Sequence, residues 1–394
     1  MPKVLIIQTE VKHYRLPFFT GLYAALQRDG IELKVVYSNS NPVQSLRKDC
    51  VELPSSVGSR VKGKWFFNRF IYQPIWKEIF SADLVITGSE VKYLNNPLLL
   101  LLSALKLKRV AFWGLGPNRH PTRSQFAESI KRPFFTCVDW WFAYTESIAE
   151  YLRSEGMPAD RITNVQNATD SAELRRLIDD ISEDEVRAAK IALTGTTANK
   201  IGFYCGMLAE IKAIPLLIET ARLVKEKCPE FHLVIIGNGP ERPWLENAIA
   251  DAPWIHYLGS KFGRESALYY KMADMFLLSG TAGLAVVDSF AAGLPLLVTD
   301  LPTHPPEISY VVDGENGRVA LHEAEAFAAS IVETLSDPGA MERLQRGAKE
   351  SSVRYTIEAM VDNYSTGIKR CLALYGRSPV LGATKLPAPE TESR

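Results

Sequence analysis

Cysteine is scarce and scattered: five residues, Cys50, Cys137, Cys205, Cys228 and Cys371, in a chain of 394, with no CxxC pair and an odd total. This excludes a disulfide framework and a zinc knuckle, and leaves buried free thiols in a reducing cytoplasm as the expectation. Net charge is missing as well. The 45 Lys plus Arg balance 45 Asp plus Glu, which excludes the generally basic surface that a nucleic-acid binder uses against phosphates. Long hydrophobic runs are also absent: the most apolar stretch, Leu98 to Leu107, is broken by Ser103 and Lys106, whereas a membrane span needs about 20 residues. The opening MPKVLIIQTE runs only from Val4 to Ile7 before Gln8 interrupts it, short of the core of a secretion signal. Glycine is missing between Ile7 and Arg15, where a nicotinamide-dinucleotide turn would need several.

What is present is an alternation of short apolar runs with helical patterns, the signature of βαβ units and parallel sheets. Val4 to Ile7, Glu32 to Tyr37, Leu84 to Thr87, Arg109 to Trp113 and Trp140 to Thr145 read as strands; Phe18 to Arg28, Arg69 to Phe80 and Pro97 to Lys106 read as helices. Asp170 to Lys200 is rich in Asp, Glu, Ala and Thr and lacks a strand. The alternation then resumes with strands at Ile201 to Gly206, His232 to Gly237, Trp254 to Gly259, Met275 to Ser279 and Pro295 to Asp300. Two α/β, doubly wound, Rossmann-like domains are expected to face each other across a cleft, with ligands beyond the carboxyl ends of the strands.

Four segments of the second half carry chemistry. GMLAEIK, Gly206 to Lys212, is a strand end followed by a lysine at a helix start, where amide dipoles and an ammonium both favour an anion. IIGNGPE, Ile235 to Glu241, is a strand and a tight turn in which Gly237 and Gly239 let the backbone approach a neighbour or a ligand. In LLSGTAGLAVVDSFAAGLPLLVTD, Gly280 and Gly283 form a loop entering a helix, and Asp288 is a carboxylate able to accept from a ribose diol. PPEISYVVDGENGRVA, Pro305 to Ala320, is a polar turn between extended segments.

In order and spacing these segments resemble the nucleotide-sugar domain of GT-B glycosyltransferases, specifically glycosyltransferase family 4, the glycosyl transferases group 1. The likeness extends to HYRLPFF at His13 to Phe19 and FWGLG at Phe112 to Gly116, and covers roughly residues 1 to 375. It implies an acceptor-binding domain at 1–172, a donor-binding domain at 199–350 and helices at 351–375 returning to the first domain; composition places the interdomain connection at 173–198 and a disordered tail at 376–394. It further implies sugar transfer from a nucleotide-diphosphate sugar to a hydroxyl of a glycan or lipid-linked acceptor, retaining and without a metal or other cofactor, in bacterial surface polysaccharide or glycolipid synthesis. No DxD triplet occurs. A GT-B nucleotide-sugar 2-epimerase and a noncatalytic nucleotide-sugar binder are the alternatives.

By that resemblance the donor is held by Gly206, Lys212, Gly237, Gly239, Gly280, Gly283, Leu284 and Asp288, with main chain near Gly259 to Lys261 reading the base. His13, Lys212 and Asp288 are the catalytic candidates, Lys212 facing the leaving diphosphate. Glu10, Tyr14, Arg15, Gly114, Gly116, Asn118 and Arg119 would line the acceptor side. Three departures stand out: Gly280 occupies the first glutamate position of the family's E-x7-E motif and Asp288 the second, Met207 replaces an arginine, and Leu115 stands where some relatives carry a histidine.

Ser59 to Phe80 interleaves Arg60, Lys62, Lys64, Arg69 and Lys77 with Trp65, Phe66, Phe67, Phe70, Tyr72 and Trp76, a mixture suited to peripheral contact with anionic lipid on the inner face of the cell membrane. The charge neutrality is a cancellation. Residues 1–170 hold 22 Lys plus Arg against 15 Asp plus Glu, and the remainder holds 23 against 30.

Overall fold

The computed structural model describes residues 1–38, 50–116 and 136–374. In the first half the strands are Lys3–Ile7 (β1), Glu32–Tyr37 (β2), Gly58–Arg60 (β3), Lys64–Phe66 (β4), Phe70–Tyr72 (β5), Leu84–Gly88 (β6), Arg109–Gly114 (β7), Trp140–Ala143 (β8) and Ile162–Asn164 (β9). Seven of them form one parallel sheet in the order β3-β2-β1-β6-β7-β8-β9, and β4 and β5 form a separate antiparallel hairpin. The second half adds Lys200–Cys205 (β10), Phe231–Ile236 (β11), Ile255–Tyr257 (β12), Met275–Leu278 (β13), Leu296–Thr299 (β14) and Gly317–Ala320 (β15), in the parallel order β12-β11-β10-β13-β14-β15. In each sheet the order reverses beside the first strand, β1 or β10, so the two switch points open beyond the carboxyl ends of those strands.

These strands are near-continuous apolar runs because helices cover both faces. Ile6, Ile7, Val35, Val36, Val85 and Ile86 are buried in the first sheet, and Ile201, Phe203, Val234, Ile235, Phe276 and Leu297 in the second. The region expected as a plain connection folds into two helices, Ser171–Asp179 and Glu183–Thr194, and the second opens with a reciprocal Ser182–Glu185 capping box. Leu174, Ile178, Val186 and Leu193 pack on the core of the second domain.

The chain returns at its other end. The helix Pro338–Arg354 packs on the second domain, and Ile357–Leu374 crosses back to lie on the first. There Tyr364 stacks on Phe142 at 4.2 Å and meets Phe18 and Trp113 edge-on, both at 5.2 Å.

Two expectations are corrected. Arg69 to Phe80 is not one helix: Phe70–Tyr72 is extended, and only Trp76–Ser81 is helical. Pro74 lies in the middle of that span and cannot donate the bond a continuous helix would need there. The thiols are not all buried either, since Cys50 and Cys137 are exposed.

At the β11–β12 edge the rings of His232 and His256 stack at 5.2 Å, with Nδ1 of the first 2.9 Å from Nε2 of the second. Burial, with the cations of Lys225 and Lys190 and the neighbouring His256, pulls His232 down to about 4; burial and Lys225 lower His256. A depressed histidine is neutral in the fold and charged in the unfolded chain. Its contribution is therefore present above about pH 6.5 and lost as pH falls toward 4. Thermal melts should show the wild type losing stability across that window relative to His256→Asn; parallel curves for the two proteins would contradict it.

Candidate functional site

Beyond the carboxyl end of β10, the chain from Gly206 to Leu208 is interwoven with the glycine turn after β11. Gly206 N–H donates to Ile236 O at 3.0 Å, and Leu208 N–H to Asn238 O at 3.0 Å. The backbones run so close that a Cβ at Gly237, where φ is +148°, would lie 1.8 Å from Gly206 O. A Cβ at Gly239 would lie 2.1 Å from Leu208 O. The two glycines therefore serve backbone against backbone, and Tyr257 Oη and Gly259 O, bonded to the O and N–H of Gly237, fix the turn from the β12 side.

Lys212 ends a short 3₁₀ turn, Glu210–Lys212, and is separated from the helix Ile214–Lys227 by Ala213 in the left-handed conformation, φ 48°. It is thus one turn ahead of the helix rather than at its start. Its ammonium donates to Thr281 O, and burial lowers its pKa. The loop after β13 lies directly on this turn: Thr281 N–H donates to Ile211 O at 2.9 Å, and Ser279 Oγ to Lys212 O at 3.0 Å and Ala213 O at 2.9 Å.

His304, which the sequence did not single out, pins the same loop from the other side. Ala282 N–H donates to its Nδ1 at 3.0 Å, which leaves Nε2–H to donate to Thr299 O at 2.7 Å. Burial lowers its pKa, so the ring is held as a neutral spacer. With Thr281 and Ala282 committed, the amides of Gly283 and Leu284 follow at the entrance of Ala285–Ala291. That helix has seven residues, so the loop amides and Lys212, rather than a long helix dipole, are what an anion would meet.

Asp288 sits on this short helix. Burial pushes its carboxyl up to about 6, opposed by a hydrogen bond from Thr169 Oγ1 at 3.1 Å. Thr169 belongs to the first half of the chain, so the bond crosses between the domains. A second crossing contact lies nearby: Asn167 Nδ2 donates to the carboxylate of Glu307, which is 3% exposed, while Tyr310 Oη donates to Tyr144 O and Asn167 O at 3.3 and 3.2 Å. Asn167 and Thr169 had no motif to mark them, whereas Glu307 lay in the quoted PPEIS segment without a role.

On the first domain, His13, Tyr14 and Arg15 form a 3₁₀ turn beyond β1. His13 and Tyr14 are exposed, whereas the Arg15 guanidinium is buried between the rings of Tyr14, Trp113 and Tyr144 at 5.1, 5.2 and 5.6 Å. Arg15 therefore shapes the floor of that side as a cation among aromatic faces. Glu10 is held by Lys12 at 2.8 Å and by the Cys50 thiol at 3.5 Å. Gly114 ends β7, and Gly116 follows with φ +70°. Asn118 and Arg119 lie outside the described residues. Lys261 reaches Glu265 at 3.5 Å, beside the open left-handed turn at Gly259.

Residues 198–337 match the glycosyl transferases group 1 family. The chain is 27% identical over 191 residues to the alpha-monoglucosyldiacylglycerol synthase of Acholeplasma laidlawii, covering 47% of either protein. It is 26% identical over 160 residues to the sulfoquinovosyl transferase SQD2 of Arabidopsis thaliana, covering 38% of this chain and 31% of that one. The chain thus spans less than half the length of each of these two relatives. Among solved structures, Anabaena Alr3699/HepE in complex with UDP superposes with a TM-score of 0.68 at 14% identity, over 94% of this chain and all of that one. At that identity the likeness is one of fold.

Proposed function

From the premise that this is a GT-B chain whose second domain belongs to the glycosyl transferases group 1 family, we propose that it transfers a sugar from a nucleotide-diphosphate sugar to a hydroxyl of a glycan or lipid-linked acceptor. The observation that supports the proposal is that Lys212, beyond the carboxyl end of β10, is bonded to the loop after β13 that leads into Ala285–Ala291, the helix on which Asp288 is bonded to Thr169 of the first domain. Departure of the nucleotide places developing charge on the diphosphate. Fixed amides and a partly desolvated ammonium stabilise that charge without reorganising. Asp288 holds the ribose hydroxyls, and main chain around Gly259 to Lys261 meets the base. On this reading transfer is retaining and independent of metal, with the leaving phosphate receiving the acceptor proton. Glycolipid or surface-polysaccharide synthesis is the setting we favour, because relatives named above include a glycolipid synthase.

A thermal-shift panel of UDP-, GDP- and ADP-sugars tests the donor class, since a ligand that binds only the folded state raises its melting temperature. UDP-sugars are the first choice, as UDP was captured in the Anabaena protein. Asp288→Asn gives a two-sided check. A carboxylate whose pKa is raised by burial destabilises the fold above that pKa, so at pH 7.5 the ligand-free variant should melt higher than the wild type. The donor shift should nevertheless shrink, and the wild-type shift should decline below about pH 6 as the carboxyl protonates. An undiminished donor shift in Asp288→Asn would remove Asp288 from the ribose site.

A further inference from the structure

The face of the first sheet opposite the returning helix Ile357–Leu374 is covered by β4–β5, Trp76–Ser81 and Asn96–Ala104. Their inward residues, Ile71, Ile75, Ile79 and Leu99, are buried against the sheet. Their outward residues are apolar too. Phe67, at the tip of the hairpin, is 93% exposed; Leu101 is 53% and Leu107 67% exposed, with Leu98, Leu105 and Phe80 also in solvent. Leu98, Leu101 and Leu105 recur at helical spacing on one stripe. Scattered exposed leucines need no explanation, but a contiguous set does.

The elements are physically joined. Ile71 N–H donates to Lys92 O at 2.8 Å and Leu94 N–H to Ile71 O at 2.9 Å, which ties the hairpin to the segment leading into the leucine helix. Lys108 Nζ donates to the carbonyls of Phe80 and Ala82 at 3.0 and 2.6 Å, which ties the end of that helix to Trp76–Ser81.

Cations border the patch: Lys62, Lys64 and Arg69 around the hairpin, Lys77 and Lys106 beyond it, all exposed. The nearby carboxylates are already paired, Glu90 with Lys92 at 3.2 Å, Glu78 with Lys34 at 3.8 Å and Asp139 with Lys106 at 3.4 Å. The hairpin turn holds Phe67 and Asn68 both at φ 51°, and the aromatic ring at its tip stands in solvent. A solvent-exposed ring, a leucine stripe and a border with an excess of cations match an anionic bilayer, in which apolar groups enter the acyl boundary and cations meet head groups.

We propose that this face is a membrane-docking surface for anionic phospholipid, with Phe67 and the Leu98–Leu101–Leu105 stripe as the inserting groups. The proposal stands on the surface alone and not on the transfer reaction. It moves the weight from the basic stretch 59–80 to the leucine helix, which is too short to span a bilayer but well placed to lie in one; among the described residues no helix is long and apolar enough to cross. Asn96 Nδ2 donates to Gly88 O at the carboxyl end of β6, so the leucine helix starts at the rim of the first domain's switch-point side. A docked bilayer would flank the cleft.

Vesicle flotation with phosphatidylcholine alone and with phosphatidylcholine mixed with phosphatidylglycerol tests it. Binding to the anionic vesicles should be tighter by at least roughly tenfold and should weaken with salt. Phe67→Ser and Leu101→Ser, each melting as the wild type does, should each lose several-fold in binding, and Lys62→Glu with Lys64→Glu should abolish the anionic preference. Equal binding to both vesicle types, or variants that float like the wild type, would overturn the proposal. So would a solution dimer in sedimentation that Leu101→Ser dissociates, because the patch would then be covered by a second copy.

Discussion

Gly280→Glu, which restores the residue usual at that position in the family, is expected to unfold the donor site rather than improve it. A Cβ at Gly280 would lie 2.3 Å from the carbonyl carbon of Lys212, 2.4 Å from its Cα and 2.5 Å from its oxygen. All three are backbone atoms, so no side-chain rotation relieves the clash. The crossing is fixed on both flanks, by Ser279 Oγ on Lys212 O and Ala213 O and by Thr281 N–H on Ile211 O. Forcing the two segments apart should cost about 3 kcal/mol or more, a fall in melting temperature of roughly 10 °C. Gly280→Ala should show most of the same loss. A Gly280→Glu protein that melts normally and turns over donor faster would show that the two segments do not cross this closely. The substitution thus sits with the close crossing of Lys212: a side chain at 280 and this backbone path exclude each other.

Lys212→Met should remove the donor-induced thermal shift and lower turnover by about a hundredfold to a thousandfold, the usual cost of losing one preorganised group at a developing anion. Methionine keeps the length of the stem, which separates charge from packing. Only the bond to Thr281 O is lost to the ligand-free fold, so its stability should fall by no more than about 1.5 kcal/mol. One ammonium has three protons, so the bond to Thr281 O leaves two for an anion while fixing the direction in which they point. Loss in kcat together with the thermal shift supports this placement. A variant that keeps the full shift and kcat would assign Lys212 a role in loop packing alone.

The two sheets were legible in the sequence because buried parallel strands are near-continuous apolar runs punctuated by glycine, and Ile201 to Gly206 and His232 to Gly237 carry that signal undiluted. The hairpin was not. Lys64 to Tyr72 alternates cations and aromatics without a glycine at its turn, and Phe67 adopts positive φ against its local preference, beside Asn68, which tolerates it. Pro74 was the available signal against a continuous helix. Within the site, Gly237 and Gly239 were readable from their type, because so close a backbone approach admits only glycine. Residues that meet across the fold were not: His304 bonding Ala282, Thr169 bonding Asp288 and Asn167 bonding Glu307 are joined by tertiary geometry that no local spacing encodes. Gly280 is the intermediate case, visible as a departure from a motif, with its steric reason visible only once Lys212 is seen crossing it.

The helix Ile357–Leu374 completes the core of the domain that begins at Lys3, because Tyr364 fills the space between Phe18, Trp113 and Phe142. On the ribosome, these three aromatics are made long before Tyr364 is. The first domain must therefore wait, with that face open, until the whole second domain has been synthesised. A chain released before residue 357 would present the aromatic face to solvent, and chaperone binding during translation should concentrate in that interval.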